Sequence, residues 1–225
     1  AGIAGSSYNW SPALGLNANN IAQPVASPNT TTSYTVTVTG ANGCIATDVV
    51  VVNVNTTPPT VDAGPDKNLN CSVTSATIGT AGIAGSSYNW SPALGLNATN
   101  VAQPVASPNT TTSYTVTVTG ANGCIATDVV VVNVNTTPPT VDAGPDKNLD
   151  CSVTSAIIGT AGLAGNTYSW FPALGLNDAT IAQPTASPNM TTTYTVTVSG
   201  VNGCVATDVV IVNVNTTPPA ADAGP

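Results

Sequence analysis

From Thr112 to Thr119 the chain reads TSYTVTVT, and apolar and polar side chains change places at every step. In an extended strand this puts Tyr114, Val116 and Val118 on one face and Thr115, Thr117 and Thr119 on the other. Gly120-Ala121-Asn122-Gly123 follows, rich in the residues that accept turn conformations, and predicts a hairpin. The chain then returns as Ala126–Val134, with Val130, Val132 and Val134 on one face. Val129 and Val131 leave the opposite face apolar as well, so a first strand or a neighbour is expected to cover it. Upstream, Ser86–Ser91 alternates so that Tyr88 and Trp90 share a face, and Ala76–Ala81 reads as a short strand. Pro58, Pro59 and Pro65 forbid helix and predict a stiff linker leading into a first, edge strand. With no helical period of useful length, the pattern predicts an all-β fold of antiparallel sandwiches with an inward Trp.

The same pattern returns every 80 residues. AGIAGSSYNWSPALGLN at Ala1 recurs at Ala81 and, as AGLAGNTYSWFPALGLN, at Ala161. Residues 1–65 and 81–145 differ only at Asn19/Thr99 and Ile21/Val101. This period is longer than that of solenoid repeats, ~20–50 residues, and suits one small β domain. The organisation expected is a partial repeat at 1–55 lacking its opening strands, complete repeats at 56–135 and 136–215, and an opening strand at 216–225. Two explanations of the ends stand side by side: a section of a longer protein, or a subunit whose missing strands come from another molecule.

Charge removes several functions. Only 5% of residues are charged, the net charge is −8, all ten acids are Asp, and the bases are Lys67 and Lys147. A chain without a cationic surface is a poor partner for nucleic acid or for an anionic membrane. The apolar 42% is spread through alternating strands, and no run approaches the ~20 residues of a spanning helix. With no His, Glu or Arg, proton-transfer catalysis lacks its usual groups, and no enzyme is expected. Two tryptic sites in the whole chain suit a life among extracellular proteases.

Cysteines stand at 44, 71, 124, 151 and 204, with gaps of 27 and 53 residues in alternation. Pairing within repeats gives Cys71–Cys124 and Cys151–Cys204, with Cys44 unpaired. Each domain is then closed on its own, by a bond worth ~4 kcal/mol on the chain-entropy model. The alternative, Cys44–Cys71 and Cys124–Cys151, joins successive repeats and strands Cys204. Without His or a Cys-x-x-Cys spacing, no zinc cage is expected, and paired cysteines imply an oxidising compartment.

Other residues have a structural and a functional reading. Asp62 and Asp66, repeated as Asp142 and Asp146, could hold Ca²⁺ at domain junctions, or could simply build turns. Otherwise no cofactor is expected. Asp128 and Asp208 read as residues that cap or orient a strand entry. Tyr88 and Trp90 fit a core better than a sugar-stacking platform. Phe171 stands at an outward position where the other copies have Ser11 and Ser91, a candidate contact residue. Lys67 between Asp66 and Asn68 is too polar a setting for an isopeptide cross-link. Asn29, Asn55, Asn97 and Asn109 begin N-x-S/T sequences, which an Asn- and Thr-rich chain also produces by chance.

VDAGPDKNLNC, SYNWSPALGLN and PVASPNTTTSYTVTVTGANGCIATDVVVVNV, in that order, resemble the Ig-like or PKD-like repeats of giant Bacteroidota surface proteins, among them gliding-motility-type adhesins and other type IX secretion substrates. The resemblance spans the chain. It implies tandem Ig-like sandwiches, a disulfide between the Cys after AGPD and the Cys of NGC, export to the bacterial surface or an extracellular filament, and an adhesive or matrix role. The function expected is therefore a stalk or filament whose partners are other copies or flanking repeats. A multivalent array binding surface glycans and a spacer in a large secreted enzyme are the alternatives.

Overall fold

The computed structural model describes residues 2–218 and 220–221. Of the 216–225 segment, expected as an opening strand, residues 219 and 222–225 lie outside them, and Thr216–Pro218 form no strand. Two compact units emerge, one of Ala1–Val61, Ala84–Ser87 and Thr117–Thr127, the other of Asp62–Ile83, Tyr88–Val116 and Asp128–Pro225.

All regular structure among the described residues is β. The first strands are β1 (Ser7–Ser11), β2 (Thr32–Thr39) and β3 (Ile45–Val52), an antiparallel sheet in that order. Then come β4 (Lys67–Asn70), β5 (Ala76–Thr77), β6 (Ser87–Ser91), β7 (Val105–Ala106), β8 (Thr112–Thr119) and β9 (Ile125–Asn135). The series recurs as β10 (Lys147–Asp150), β11 (Ala156–Ile157), β12 (Thr167–Phe171), β13 (Thr185–Ala186), β14 (Thr192–Ser199) and β15 (Val205–Asn215). In each series a four-stranded sheet, β4–β9–β8–β6 or β10–β15–β14–β12, is accompanied by a two-stranded one, β5–β7 or β11–β13. These are lopsided Ig-like/PKD-like sandwiches.

The alternation works as expected in β14, where Tyr194, Val196 and Val198 are buried, as are Val210 and Val212 from β15. Trp170 from β12, Leu149 from β10, and Ile158 and Ala186 from the smaller sheet complete the core. Val209 and Ile211 remain exposed on the other face of β15, as does Val129 in β9.

The edge strand departs from the antiparallel pattern. Lys147 pairs with Val212 and Asp150 with Asn215, so β10 runs parallel to β15, and β4 runs parallel to β9 in the same register. A parallel neighbour needs a long crossover, and nearly the whole repeat intervenes between the two strands.

The three tryptophans are not equivalent. Trp90 and Trp170 are buried, whereas Trp10, expected to match them, is half-buried. The backbone at Gly79 lies against Trp90: a Cβ there would stand 3.0 Å from the Trp90 ring and collide with the Ala102 carbonyl.

Candidate functional site: the junction between repeats

The carboxylates considered for calcium have backbone partners. Asp62 and Asp142 accept the N–H of Gly64 and Gly144 at 2.8 Å, each closing a local turn. Asp66 and Asp146 accept from Val131 at 2.9 Å and Ile211 at 2.8 Å, extending the parallel ladder past Pro65 and Pro145. No group of three or more His, Cys, Asp or Glu converges among the described residues. Asp128 and Asp208 reach back across the sheet edge to accept the N–H of Ala63 and Ala143 at 2.8 Å. Those bonds, followed by ones from Val129 and Val209, hold both carboxyls below the usual range.

The cysteines overturn the expected pairing. Cys71–Cys124 and Cys151–Cys204 do not form, and neither does the alternative set. Cys71 is bonded to Cys204, with a Cα–Cα distance of 5.0 Å, and Cys44, Cys124 and Cys151 are free. The parallel register explains why. Cys151 follows the β10 residue paired with Asn215, and its Sγ lies 3.8 Å from the Thr216 carbonyl oxygen. Cys204 precedes β15, at its other end. At ~3.3 Å per residue the strand separates the two by about 35 Å, far beyond the ~7 Å between Cα atoms that a disulfide spans. A repeat cannot close on itself; its two cysteines face opposite neighbours.

The bond belongs to a larger junction between the 56–135 and 136–215 segments. Gly200–Cys204 forms a tight hairpin in which Gly200 N–H donates to Cys204 O at 2.8 Å and Gly203 N–H to Gly200 O at 2.9 Å. The Asn202 amide works in two directions. Its Oδ1 accepts the Cys204 N–H at 3.2 Å, fixing the hairpin, while Nδ2 donates to Asn135 O at 3.3 Å and Thr137 O at 2.9 Å in the linker. The Cys71 N–H in turn donates to Asn202 O at 3.2 Å. Gly203 has φ +73°, and a Cβ there would collide with the Ser72 hydroxyl, so only glycine brings the hairpin this close. Cys204 is buried by the contact.

The preceding linker is gripped in the same way. Asn122 Nδ2 donates to Asn55 O at 3.2 Å and Thr57 O at 2.9 Å, while its Oδ1 accepts the Cys124 N–H at 3.1 Å. Around Gly123 nothing stands within 4 Å, and Cys124 is free. The sequence reading took Asn122 and Asn202 for turn residues only. The one signal that could have revealed them was the unvarying Asn-Gly-Cys triplet, which couples a hairpin donor to a cysteine.

Aromatic groups offer little surface chemistry. Trp90 and Trp170 donate their indole N–H to Val101 O and Ile181 O at 2.9 and 3.0 Å. Tyr114 and Tyr194 donate to Leu94 O and Leu174 O, and burial raises both phenol pKa values. Tyr88 is half-buried, its hydroxyl accepting the Ile83 N–H. Phe171 is exposed, as are Leu174 and Met190.

No family model matches the chain, and no curated protein does. Among solved structures the chain is similar to extracellular domains 3–5 of Drosophila OTK, with 12% identity, 94% of this chain and 86% of that one covered, and a TM-score of 0.39. Mouse Cadherin-23 EC22–24 matches with 12% identity over 95% of this chain and 87% of that one, TM-score 0.42. The PKD domain from the KIAA 1837 protein matches with 23% identity over 39% of this chain and 98% of that one, TM-score 0.32.

Proposed function

We propose that this chain is a structural section of a secreted bacterial surface protein, a stalk or filament segment whose repeats are coupled in series. The observation that carries the reading is the Cys71–Cys204 bond, which joins one repeat to the next rather than closing either. A bond there serves the spacing of repeats, and it requires an oxidising compartment, which supports an extracellular location. The Asn122 grip on the earlier linker supports the same role, because two successive junctions are held by one device. The Bacteroidota-like repeat pattern supports a bacterial surface and type IX export. The reading needs neither catalysis nor cofactor. A glycan-binding array has less support, since Trp90 and Trp170 are buried and Trp10 is half-buried, so no two repeats present the same open indole.

Small-angle scattering of the oxidised chain, combined with assays for hydrolytic turnover, tests this. An elongated particle without activity is expected. A compact sphere, or turnover that survives purification, would overturn it.

A further inference from the structure

We infer that the Asn202–Gly203 peptide is a deamidation site held in check by the closed junction, so that opening Cys71–Cys204 starts an irreversible release of the linker. The junction geometry alone carries this, and the stalk reading does not depend on it.

The two residues stand together because the junction demands each of them. Asn202 accepts locally and donates across. Its Oδ1 takes the Cys204 N–H at 3.2 Å, while Nδ2 donates to Asn135 O at 3.3 Å, Asn135 Oδ1 at 3.2 Å and Thr137 O at 2.9 Å. That requires a carboxamide, which carries an acceptor and two N–H donors on one neutral group. Gly203 in turn has φ +73° and leaves room for the Ser72 hydroxyl. An Asn followed by Gly is also the pair in which the next backbone nitrogen reaches the side-chain carbonyl carbon most freely, since glycine has no Cβ to hinder it. The pair recurs at Asn122-Gly123, whose amide holds Asn55 O and Thr57 O in the same way.

The reaction needs only water. The Gly203 backbone nitrogen attacks Asn202 Cγ, so that the N–Cγ bond forms and the Cγ–Nδ2 bond breaks. The proton from Gly203 N–H leaves with Nδ2 as ammonia. Water then opens the cyclic imide at either carbonyl, giving an α-linked or a β-linked aspartate at position 202. No electrons are exchanged.

In the closed junction, every group this step must free is engaged. The Gly203 N–H donates to Gly200 O at 2.9 Å, and the leaving amide faces three oxygens. The Asn202 carbonyl accepts the Cys71 N–H at 3.2 Å, and the Cys71–Cys204 bond keeps that donor in place. Turning Cγ toward the Gly203 nitrogen breaks the linker bonds and the Cys204 bond together. With the disulfide reduced, only hydrogen bonds of modest net strength oppose that turn.

The product cannot do what the amide did. A carboxylate has no N–H to offer, and it would face Asn135 O, Asn135 Oδ1 and Thr137 O, which are all acceptors. The β-linked form also lengthens the hairpin backbone by one carbon, which displaces Cys204 from Cys71. A passing exposure to reductant is thereby recorded as a junction that no longer closes.

The test follows Asn202 in the full chain by peptide mass spectrometry at mildly alkaline pH. Three samples are compared: oxidised, reduced with a dithiol, and reduced and unfolded in urea. Deamidation in the oxidised chain should run about tenfold slower than in urea, and reduction alone should restore most of that difference. Hydrogen exchange at Tyr194–Val198 should stay slow after reduction, which separates opening of the junction from unfolding of the sandwich. Chains aged while reduced and then reoxidised should lose the Cys71–Cys204 bond in proportion to the modified fraction, and Asn202→Asp should show that loss from the start. Equal rates in the oxidised chain and in urea, a rate that reduction leaves unchanged, fast exchange at Tyr194–Val198 on reduction, or a modified chain that re-forms the bond as the parent does would each sink the inference. None of those results touches the stalk reading, which scattering on the unaged oxidised chain decides.

Discussion

The Asp128 carboxylate accepts the backbone N–H of Ala63 at 2.8 Å, tying two residues 65 positions apart, and Asp208 does the same for Ala143. Ala143 is buried, so its N–H has no water to fall back on. Replacing Asp208 with Ala should destabilise the 136–215 segment by ~1–3 kcal/mol, the cost of leaving a buried donor unpaired. Chemical denaturation checks it.

The same bonds set a pH dependence. Backbone donors hold both carboxyls below their ordinary value, so the folded state favours the ionised form. Their contribution is therefore complete above the unfolded carboxylate value of ~4, and it fades as the pH falls through the depressed folded value. Thermal melts in acid should show this loss, and Asp208→Asn, which keeps an acceptor without a titrating proton, should flatten it.

Reduction of Cys71–Cys204 should loosen the junction without melting the sandwiches. A bond closing one domain would contribute ~4 kcal/mol to that domain, whereas this one spans two, and each keeps its own core. Hydrogen exchange at Asn202–Cys204 should accelerate on reduction while exchange at Tyr194–Val198 stays slow. A large fall in the melting temperature of the sandwiches would contradict the assignment of the bond to the junction.

Gly203→Ala and Gly43→Ala separate conformation from contact. Both impose a left-handed backbone on alanine, a cost of ~1–2 kcal/mol. Only at Gly203 does the new methyl also meet Ser72. Oxidative folding should therefore yield much less Cys71–Cys204 bond in Gly203→Ala, while Gly43→Ala forms it as the parent does.

The unequal tryptophans are open to fluorescence. Acrylamide should quench Trp10 more readily than Trp90 or Trp170, read from variants that each keep one Trp. Trp170→Ala should cost ~3–5 kcal/mol, as expected when a large aromatic leaves a packed core.

The strands were legible because Val, Tyr and Thr alternate with period two, so Tyr194, Val196 and Val198 could be placed in the core by inspection. The turn after them was legible for the same kind of reason, since Gly200 and Gly203 bracket it. The partner of Cys71 was not. It depends on β4 lying parallel to β9, and KNLN is too short and too polar for its direction to show in the pattern. Once Cys71 is carried to the far end of β9, the nearest cysteine belongs to the next hairpin, which no spacing argument within a repeat contains. Asn202 was hidden for a related reason: its hairpin role is local and visible, while its grip on Asn135 and Thr137 joins residues 67 and 65 positions apart.

The parallel pairing of β10 with β15 has a mechanical side. The strand that opens a repeat and the strand that closes it lie next to each other and run the same way. A pull on the two ends therefore drags them past each other along their common axis. The hydrogen bonds from Lys147–Val212 to Asp150–Asn215, with the Asp146–Ile211 bond ahead of them, lie across that sliding direction and carry the tension together. An antiparallel pair pulled at its open end would instead unzip one bond at a time. Resistance to stretching is set by an unfolding rate rather than by equilibrium stability, so a repeat of modest thermal stability can still hold under load.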